Sequence, residues 1–107
     1  MIEKQYYKLV RDNIPDIITE DGNIPIIRVL SDAEYLDCLN EKLKEEVEEY
    51  LHDGNTEEIC DILEVLYAIL SAKGISVEEI EQKRTIKAYK NGAFNEKIFL
   101  EKVIVKE

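Results

Sequence analysis

The sequence has few of the residues on which several common classes of protein depend. It has two cysteines, Cys38 and Cys60, and no cluster of histidines beside them, so it offers no zinc site. Buried free thiols are the simpler interpretation of both. No apolar run approaches the ~20 residues that span a bilayer, and the start, MIEKQYYKLVRD, lacks the apolar core of a signal peptide. We therefore expect a cytoplasmic protein in a reducing compartment, without a membrane partner.

Basic residues are also scarce. Lysine and arginine number 14 against 24 acidic residues, and the formal net charge is −10. This balance disfavours a nucleic acid polymer or an anionic membrane as partner, because such binding depends on Lys and Arg contacts. A small phosphorylated ligand remains compatible, because a bound cation inverts the local field. At 107 residues and 45% hydrophobic, the chain is expected to form one domain, residues 1–107, with a small core that self-association would enlarge.

Capping and stop signals predict three main helices. Ser31 opens a capping box before a helix at about 32–52, and Asp53-Gly54-Asn55 ends it. A second helix follows at about 57–73, with Thr56 as its expected cap. A third, at about 77–90, begins after Ser76 and stops at Asn91-Gly92. The apolar positions of the first helix recur every three or four residues and predict a core stripe of Leu36, Leu39, Leu43, Val47 and Tyr50.

The second helix is apolar on nearly every side. From Ile59 to Ala72 its only charges are Asp61 and Glu64, which predicts a helix central to the fold. Outside the helices, Pro15 allows a helix start or a turn. Residues 24–30 form a short β-branched run. One interpretation is that this run is a strand that pairs with the alternating segment at 102–105. We expect an all-α protein, an antiparallel bundle of three to four helices with short extended terminal segments.

Two acidic pairs flank the turn between the first two helices, in the run EEVEEYLHDGNTEEICD at 45–61. Glu46 and Glu49 precede it, and Glu58 and Asp61 follow it. Each pair has i, i+3 spacing, which places both carboxylates on one flank of a helix. The turn folds the chain back, so the flanks can converge. Four convergent carboxylates repel one another unless a cation lies between them, and Mg²⁺, with Mn²⁺ as a substitute, prefers such oxygen ligands.

These carboxylates differ in where they lie around their helices, and we therefore expect different surroundings for each. Glu46 lies about 60° from the centre of the apolar stripe, at the shoulder of the core. Glu45 points almost opposite the stripe and is expected to face solvent. Asp61 is an unpaired charge on an apolar helix, which is costly unless it is paired. Glu64 continues the series as a further ligand, a supporting base or an ion-pair partner. The competing interpretation is an ordinary solvated acidic face.

These residues resemble a known family. KLKEEVEEY followed by EEICDILEVL is similar to the paired E-x-x-E and E-x-x-D motifs of the MazG-like all-α NTP pyrophosphohydrolases, a superfamily that phosphoribosyl-ATP pyrophosphohydrolase and the dimeric dUTPases also resemble. YYKLVRDNIPDII, RVLSDAEYL and KNGAFNEKIFLEKV resemble a compact branch of predicted NTP pyrophosphohydrolases. The resemblance spans almost the whole chain. It places Glu46 and Glu49 on the first motif, and Glu58 and Asp61 on the second.

The resemblance implies an activity and an assembly. The reaction would be hydrolysis between the α- and β-phosphates of a nucleotide, giving a nucleoside monophosphate and pyrophosphate, in a dimer or a dimer of dimers. The four carboxylates would hold one or more Mg²⁺ ions. The candidate catalytic carboxylates are Glu45, Glu46 and Glu49, with Glu45 or Glu49 orienting or deprotonating water. The candidate substrate-binding cations are Lys8, Arg11, Lys83 and Lys87.

Two other functions remain open from the sequence. One is phosphoribosyl-ATP hydrolysis in histidine synthesis, which shares the chemistry and the metal site. The KLVRD segment and the C-terminal tail weigh modestly against it. The other is a non-catalytic helical module that binds a basic partner through its acidic face. In that module the four motif carboxylates would be exposed and independently replaceable, and Mg²⁺ would add no thermal stability.

Overall fold

Four α-helices and no strands make up the fold in a computed structural model that describes residues 1–107 in full. This confirms the all-α class. The chain divides into two compact units, Met1–Ile75 and Ser76–Glu107. None of the helices combines the length and apolar character that a membrane crossing requires. The helices are α1 (Ile14–Glu20), α2 (Asp32–Asp53), α3 (Thr56–Ala72) and α4 (Val77–Asn91).

The start of α2 follows the predicted capping box. The Ser31 hydroxyl accepts a hydrogen bond from the Glu34 backbone N–H at 3.3 Å, and the Ser31 backbone N–H donates to the Glu34 carboxylate at 3.3 Å. These reciprocal bonds satisfy two of the donors that a helix N-terminus leaves unpaired. The Arg28 guanidinium also donates a hydrogen bond to the Glu34 carboxylate at 2.9 Å. This bond links the segment before α2 to the first turn of the helix.

The link between α2 and α3 consists of Gly54 and Asn55 alone. Gly54 takes the left-handed conformation, with φ +68°, and its N–H donates to the Tyr50 carbonyl at 2.7 Å. The side chain of Asn55 then accepts from the Glu58 backbone N–H at 3.1 Å. Asn55 is therefore the cap of α3 and Thr56 its first residue, one position from the predicted cap.

Helices α2 and α3 pack along each other as an antiparallel hairpin, since Glu46, before the link, lies beside Glu58 and Asp61, after it. Leu39 and Val65 are its buried apolar residues, at 3% and 8% exposure. The rest of the predicted α2 stripe is only half-buried, so the stripe is less enclosed than the core position predicted for it. Helix α3 is less enclosed than its composition suggests, since Ile59, Leu63, Leu66 and Tyr67 are 39–47% exposed.

The remaining segments differ more from expectation. Helix α1 begins at Ile14 with Pro15 in its first turn, so the proline marks a helix start. Neither residues 24–30 nor residues 102–105 form a strand, which corrects the suggested pairing. In the second unit, the Ser76 hydroxyl accepts from the Glu79 N–H at 3.1 Å and caps α4. No residue of α4 is buried.

Candidate metal centre

The α2–α3 hairpin brings five carboxylates into two overlapping groups. Glu45, Glu46 and Glu49 form one, and Glu46, Glu58 and Asp61 form the other; within each group one oxygen per residue lies within 4.8 Å of the others. All four motif carboxylates are thus present, and Glu46 belongs to both groups. The convergence follows from the short link, because it places the C-terminal turns of α2 beside the first turns of α3.

Glu46 is the most enclosed member of the cluster. It is 6% exposed, and its Oε2 is buried without a hydrogen-bond partner. The Oε2 of Glu58 is likewise buried and unpartnered. Burial raises the pKa of the Glu46 carboxyl above its usual value; the Glu49 and Asp61 charges act in the same direction, and Lys42 opposes them. Two carboxylate oxygens of the cluster residues are therefore buried with nothing donating to them, an arrangement that native proteins rarely leave uncompensated.

Lys42 partly neutralises the cluster from within α2. Its ammonium lies 3.4 Å from Glu46 Oε1 and 3.6 Å from Glu45 Oε1. The interpretation of the sequence missed this residue. Its position three and four residues before the two glutamates is the signal that would have identified it, since such pairs meet on one face of a helix.

The N-terminal segment supplies two more cations. Arg11 Nη2 lies 2.7 Å from Asp61 Oδ1, and Arg11 Nη1 lies 3.8 Å from Glu64 Oε1. Lys8 Nζ lies 3.9 Å from Glu45 Oε1. Glu64 is therefore an ion-pair partner of Arg11, one of its three expected roles. Glu45 is half-buried between lysines instead of facing solvent, because the N-terminal segment covers the side of α2 that the helix alone leaves open.

An open surface cleft of about 410 Å³ is lined in part by Glu45 of the carboxylate cluster. The N-terminal segment and α2 both line it. Tyr7, Lys8, Lys42, Lys44 and Glu45 are among the lining residues. Three lysines and Tyr7 thus line a cleft that shares Glu45 with the carboxylate cluster. The other two predicted substrate contacts, Lys83 and Lys87, are exposed on α4 in the second unit.

The donor set fits a hard divalent cation. Carboxylate oxygens are the ligands that Mg²⁺ and Mn²⁺ prefer, and the two unpartnered oxygens of Glu46 and Glu58 have no other source of positive charge at bonding distance. Cys38 is half-buried and Cys60 is exposed, which corrects the expectation of buried thiols. Both are free and lie outside both groups, so no soft ligand favours zinc. The group that contains both unpartnered oxygens is Glu46, Glu58 and Asp61, whereas the fourth predicted ligand, Glu49, is grouped with Glu45 and Glu46.

A segment of 42 residues is 55% identical to an uncharacterized protein of Mycolicibacterium smegmatis (strain ATCC 700084 / mc(2)155). The match covers 39% of this chain and 43% of that protein, so the chain spans less than half of the relative it matches. No protein-family model matches the chain, and no solved structure matches it. The chemistry of the site therefore has to be derived from its own residues.

Proposed function

We propose that the protein is a Mg²⁺-dependent nucleoside triphosphate pyrophosphohydrolase. It would cleave between the α- and β-phosphates to release a nucleoside monophosphate and pyrophosphate, and its physiological task would be to clear non-canonical nucleotides. The observation that carries the proposal is the pair of buried, unpartnered oxygens of Glu46 and Glu58 inside a convergent carboxylate cluster. A solvated acidic face gives no reason to bury a carboxylate beside others of the same charge.

The cation would be held by Glu46, Glu49, Glu58 and Asp61, with Mn²⁺ able to replace Mg²⁺. When bound, it supplies charge neutralisation and Lewis acidity at a phosphate oxygen. Glu46 belongs to both groups of carboxylates, so its carboxylate could bind a cation held by either group. Its burial fixes the side chain between α2 and α3 and holds it ready for this role.

The basic residues at the edge of the site would bind the polyphosphate. Arg11 presents a planar fork suited to two oxygens of one phosphate, and Lys8 and Lys42 lie against the same cluster. The neighbouring cleft offers Lys44 and the ring of Tyr7. Lys83 and Lys87 remain proposed substrate contacts from α4.

Hydrolysis requires a group that takes a proton as water attacks phosphorus and the bridging P–O bond breaks. Glu45 and Glu49 are the candidates, because both belong to the cluster and both are more accessible than Glu46. Glu45 lines the cleft, and its Oε1 lies 3.9 Å from the Lys8 ammonium and 3.6 Å from the Lys42 ammonium, which orient the carboxylate. Glu49 is the more exposed of the two.

The same proposal includes self-association. The helices would pack as an antiparallel bundle completed by other copies of the chain, in a dimer or a dimer of dimers. The exposed α3 stripe of Ile59, Leu63, Leu66 and Tyr67 supports this, because apolar side chains spaced along one face of a helix normally find a partner surface.

The deciding experiment measures pyrophosphate release from canonical and altered nucleoside triphosphates and from phosphoribosyl-ATP, with and without Mg²⁺. The test variants are Glu46→Gln and Glu58→Gln, which keep side-chain size. The control is Glu57→Gln, an exposed neighbour of Glu58 outside both groups. We expect both test variants to lose Mg²⁺ affinity by about tenfold or more, because even residues that only support ligands contribute 10–100-fold. The control should match the wild type.

Calorimetric titration with MgCl₂ and MnCl₂ provides a readout independent of turnover. Cation binding lost in the two test variants and kept in Glu57→Gln supports the metal site. Pyrophosphate release from phosphoribosyl-ATP alone would assign the protein to histidine synthesis instead. No release from any nucleotide, together with no Mg²⁺-induced rise in melting temperature, would falsify the enzyme and favour an acidic interaction module.

A further inference from the structure

Lys42 lies among the carboxylates that α2 contributes to the cluster. Its ammonium is 3.4 Å from Glu46 Oε1 and 3.6 Å from Glu45 Oε1, and both glutamates belong to the group that Glu49 completes. We call these three carboxylates the Lys42 group. The Lys42 side chain is only 19% exposed, and its pairing with residues three and four positions along the same helix follows from the helical repeat. The Lys42 group therefore already contains a cation.

The other group, Glu46, Glu58 and Asp61, has no enclosed cation of its own, and we call it the Glu58 group. The Oε2 atoms of Glu46 and Glu58 are buried without a hydrogen-bond partner. Arg11 pairs with Asp61 at 2.7 Å, but the Arg11 side chain is 55% exposed. Exposed ion pairs contribute little to stability, so a divalent ion can displace the guanidinium. The Glu58 group therefore lacks a fixed positive charge.

Glu46 is shared by the two groups, and its two oxygens have different surroundings. Oε1 is the atom that lies beside the Lys42 ammonium, whereas Oε2 is the atom that is buried without a partner. An ionised carboxylate can accept through both oxygens, so Glu46 can keep Lys42 on Oε1 and bind a divalent ion through Oε2. A second divalent ion, placed at the Lys42 group, would lie against the ammonium and be repelled by it.

We propose that each chain binds one divalent cation, at the Glu58 group, and that the Lys42 ammonium takes the place of a second cation at the Lys42 group. This narrows the ligand set to Glu46, Glu58 and Asp61. Glu49 is then free for its other proposed role, taking a proton from water. The inference rests on the proposed metal site and specifies how many cations that site holds and which carboxylates bind them.

Counting bound Mn²⁺ tests the inference without turnover. The protein is titrated with MnCl₂ in the absence of nucleotide, and electron paramagnetic resonance distinguishes bound from free ion. Salt at about 0.15 M screens the diffuse attraction of an acidic surface. Lys42→Met removes the ammonium at similar side-chain length, and Lys42→Arg keeps a cation there. Lys73→Met is the control, because Lys73 is an exposed lysine outside both groups and the cleft.

We expect one Mn²⁺ per chain in the wild type, in Lys42→Arg and in Lys73→Met, and two in Lys42→Met. The control shows whether the loss of any positive charge is enough to recruit a further ion. Two ions in the wild type, or one in a Lys42→Met protein that is folded by circular dichroism, would overturn the inference and leave the metal site standing. No bound Mn²⁺ in the wild type would overturn the metal site itself.

A second pair of variants tests the ligand assignment with Lys42 in place. Glu58→Gln should weaken the binding of Mn²⁺ by about tenfold or more. Glu49→Gln should weaken it by at most about fivefold, the effect of removing one exposed charge nearby. Calorimetric titration with MnCl₂ measures both affinities. Equal losses in the two variants would contradict the assignment, because Glu49 would then be a ligand of the same ion.

Discussion

Asp61 has an ion-pair partner in the folded chain, and that partner comes from a distant part of the sequence. Arg11 contacts it at 2.7 Å and reaches Glu64 at 3.8 Å. The spacing of the motifs predicts which carboxylates converge, because it depends on one helical repeat and one turn. It does not predict the partner of Asp61, because the two residues are fifty positions apart in the sequence and no local pattern fixes where the N-terminal segment lies. A cation that binds Asp61 must therefore compete with Arg11.

Arg11→Gln should strengthen Mg²⁺ binding in the absence of nucleotide, because it removes that competitor. Both side chains are substantially exposed, at 55% and 38%, and exposed pairs contribute about 0.2–1 kcal/mol. The expected gain in affinity is therefore modest, up to about fivefold. Calorimetric titration with MgCl₂ measures it. The same variant should bind a nucleoside triphosphate more weakly, because we propose the Arg11 guanidinium as a phosphate contact.

Arg28→Gln serves as the matched control, because Arg28 pairs with Glu34 at the start of α2 and has no contact with the carboxylate cluster. An Arg11→Gln protein that binds Mg²⁺ more weakly than both the wild type and the control would contradict the competition. It would show instead that Arg11 orders the ligands.

The helical elements were the most predictable part of the fold. The observed bounds of α2, α3 and α4 lie within one residue of the predicted ones, because serine, asparagine and glycine at their ends act through hydrogen bonds to adjacent backbone. The strand pairing was wrong for the opposite reason. A β-branched run such as residues 24–30 indicates extended backbone. A strand also needs a neighbouring strand to pair with, and that pairing depends on the tertiary structure.

The first turn of α2 predicts a pH dependence. The Arg28 guanidinium, followed by hydrogen bonds from Ser31, lowers the pKa of Glu34 from 4.5 to about 2. The lowered pKa means that Glu34 contributes stability above pH 4.5, and that this contribution is lost as the pH falls toward 2. Relative to wild type, Glu34→Gln should therefore be less stable at pH 6 and equally stable near pH 2.

Urea unfolding at fixed protein concentration measures this difference across the acid range. Arg28→Gln provides the comparison, because it removes the largest cause of the shift and keeps the carboxylate. Its curve should approach that of Glu34→Gln above pH 4.5. A wild-type advantage that stays constant from pH 6 to pH 2 would be incompatible with an ionised Glu34 as its source.

At the scale of the whole molecule, the single chain encloses little of its apolar surface. Leu39 and Val65 are its only buried apolar residues, although 45% of the sequence is hydrophobic. The length and composition predicted a small core and a benefit from self-association. They could not identify the uncovered surfaces, because exposure depends on where each element lies in three dimensions.

The apparent melting temperature should consequently rise with protein concentration. Association stabilises only the folded, assembled state, so each tenfold increase in concentration favours folding by mass action. Differential scanning calorimetry between about 5 and 500 µM chain, at fixed pH and salt, measures the effect. A melting temperature that is constant over this range, together with a monomeric mass, would rule out self-association as the source of stability.

The two-residue link at Gly54 has a consequence for how the chain folds. All five carboxylates of the cluster come from residues 45–61, so the contacts that assemble it are local in sequence, and local contacts form early because little loop entropy opposes them. We therefore expect folding to bring these like charges together at one of its first steps. We expect dissolved divalent cations to accelerate the closure of this hairpin, which would make the proposed ion a participant in the folding pathway as well as in the finished site.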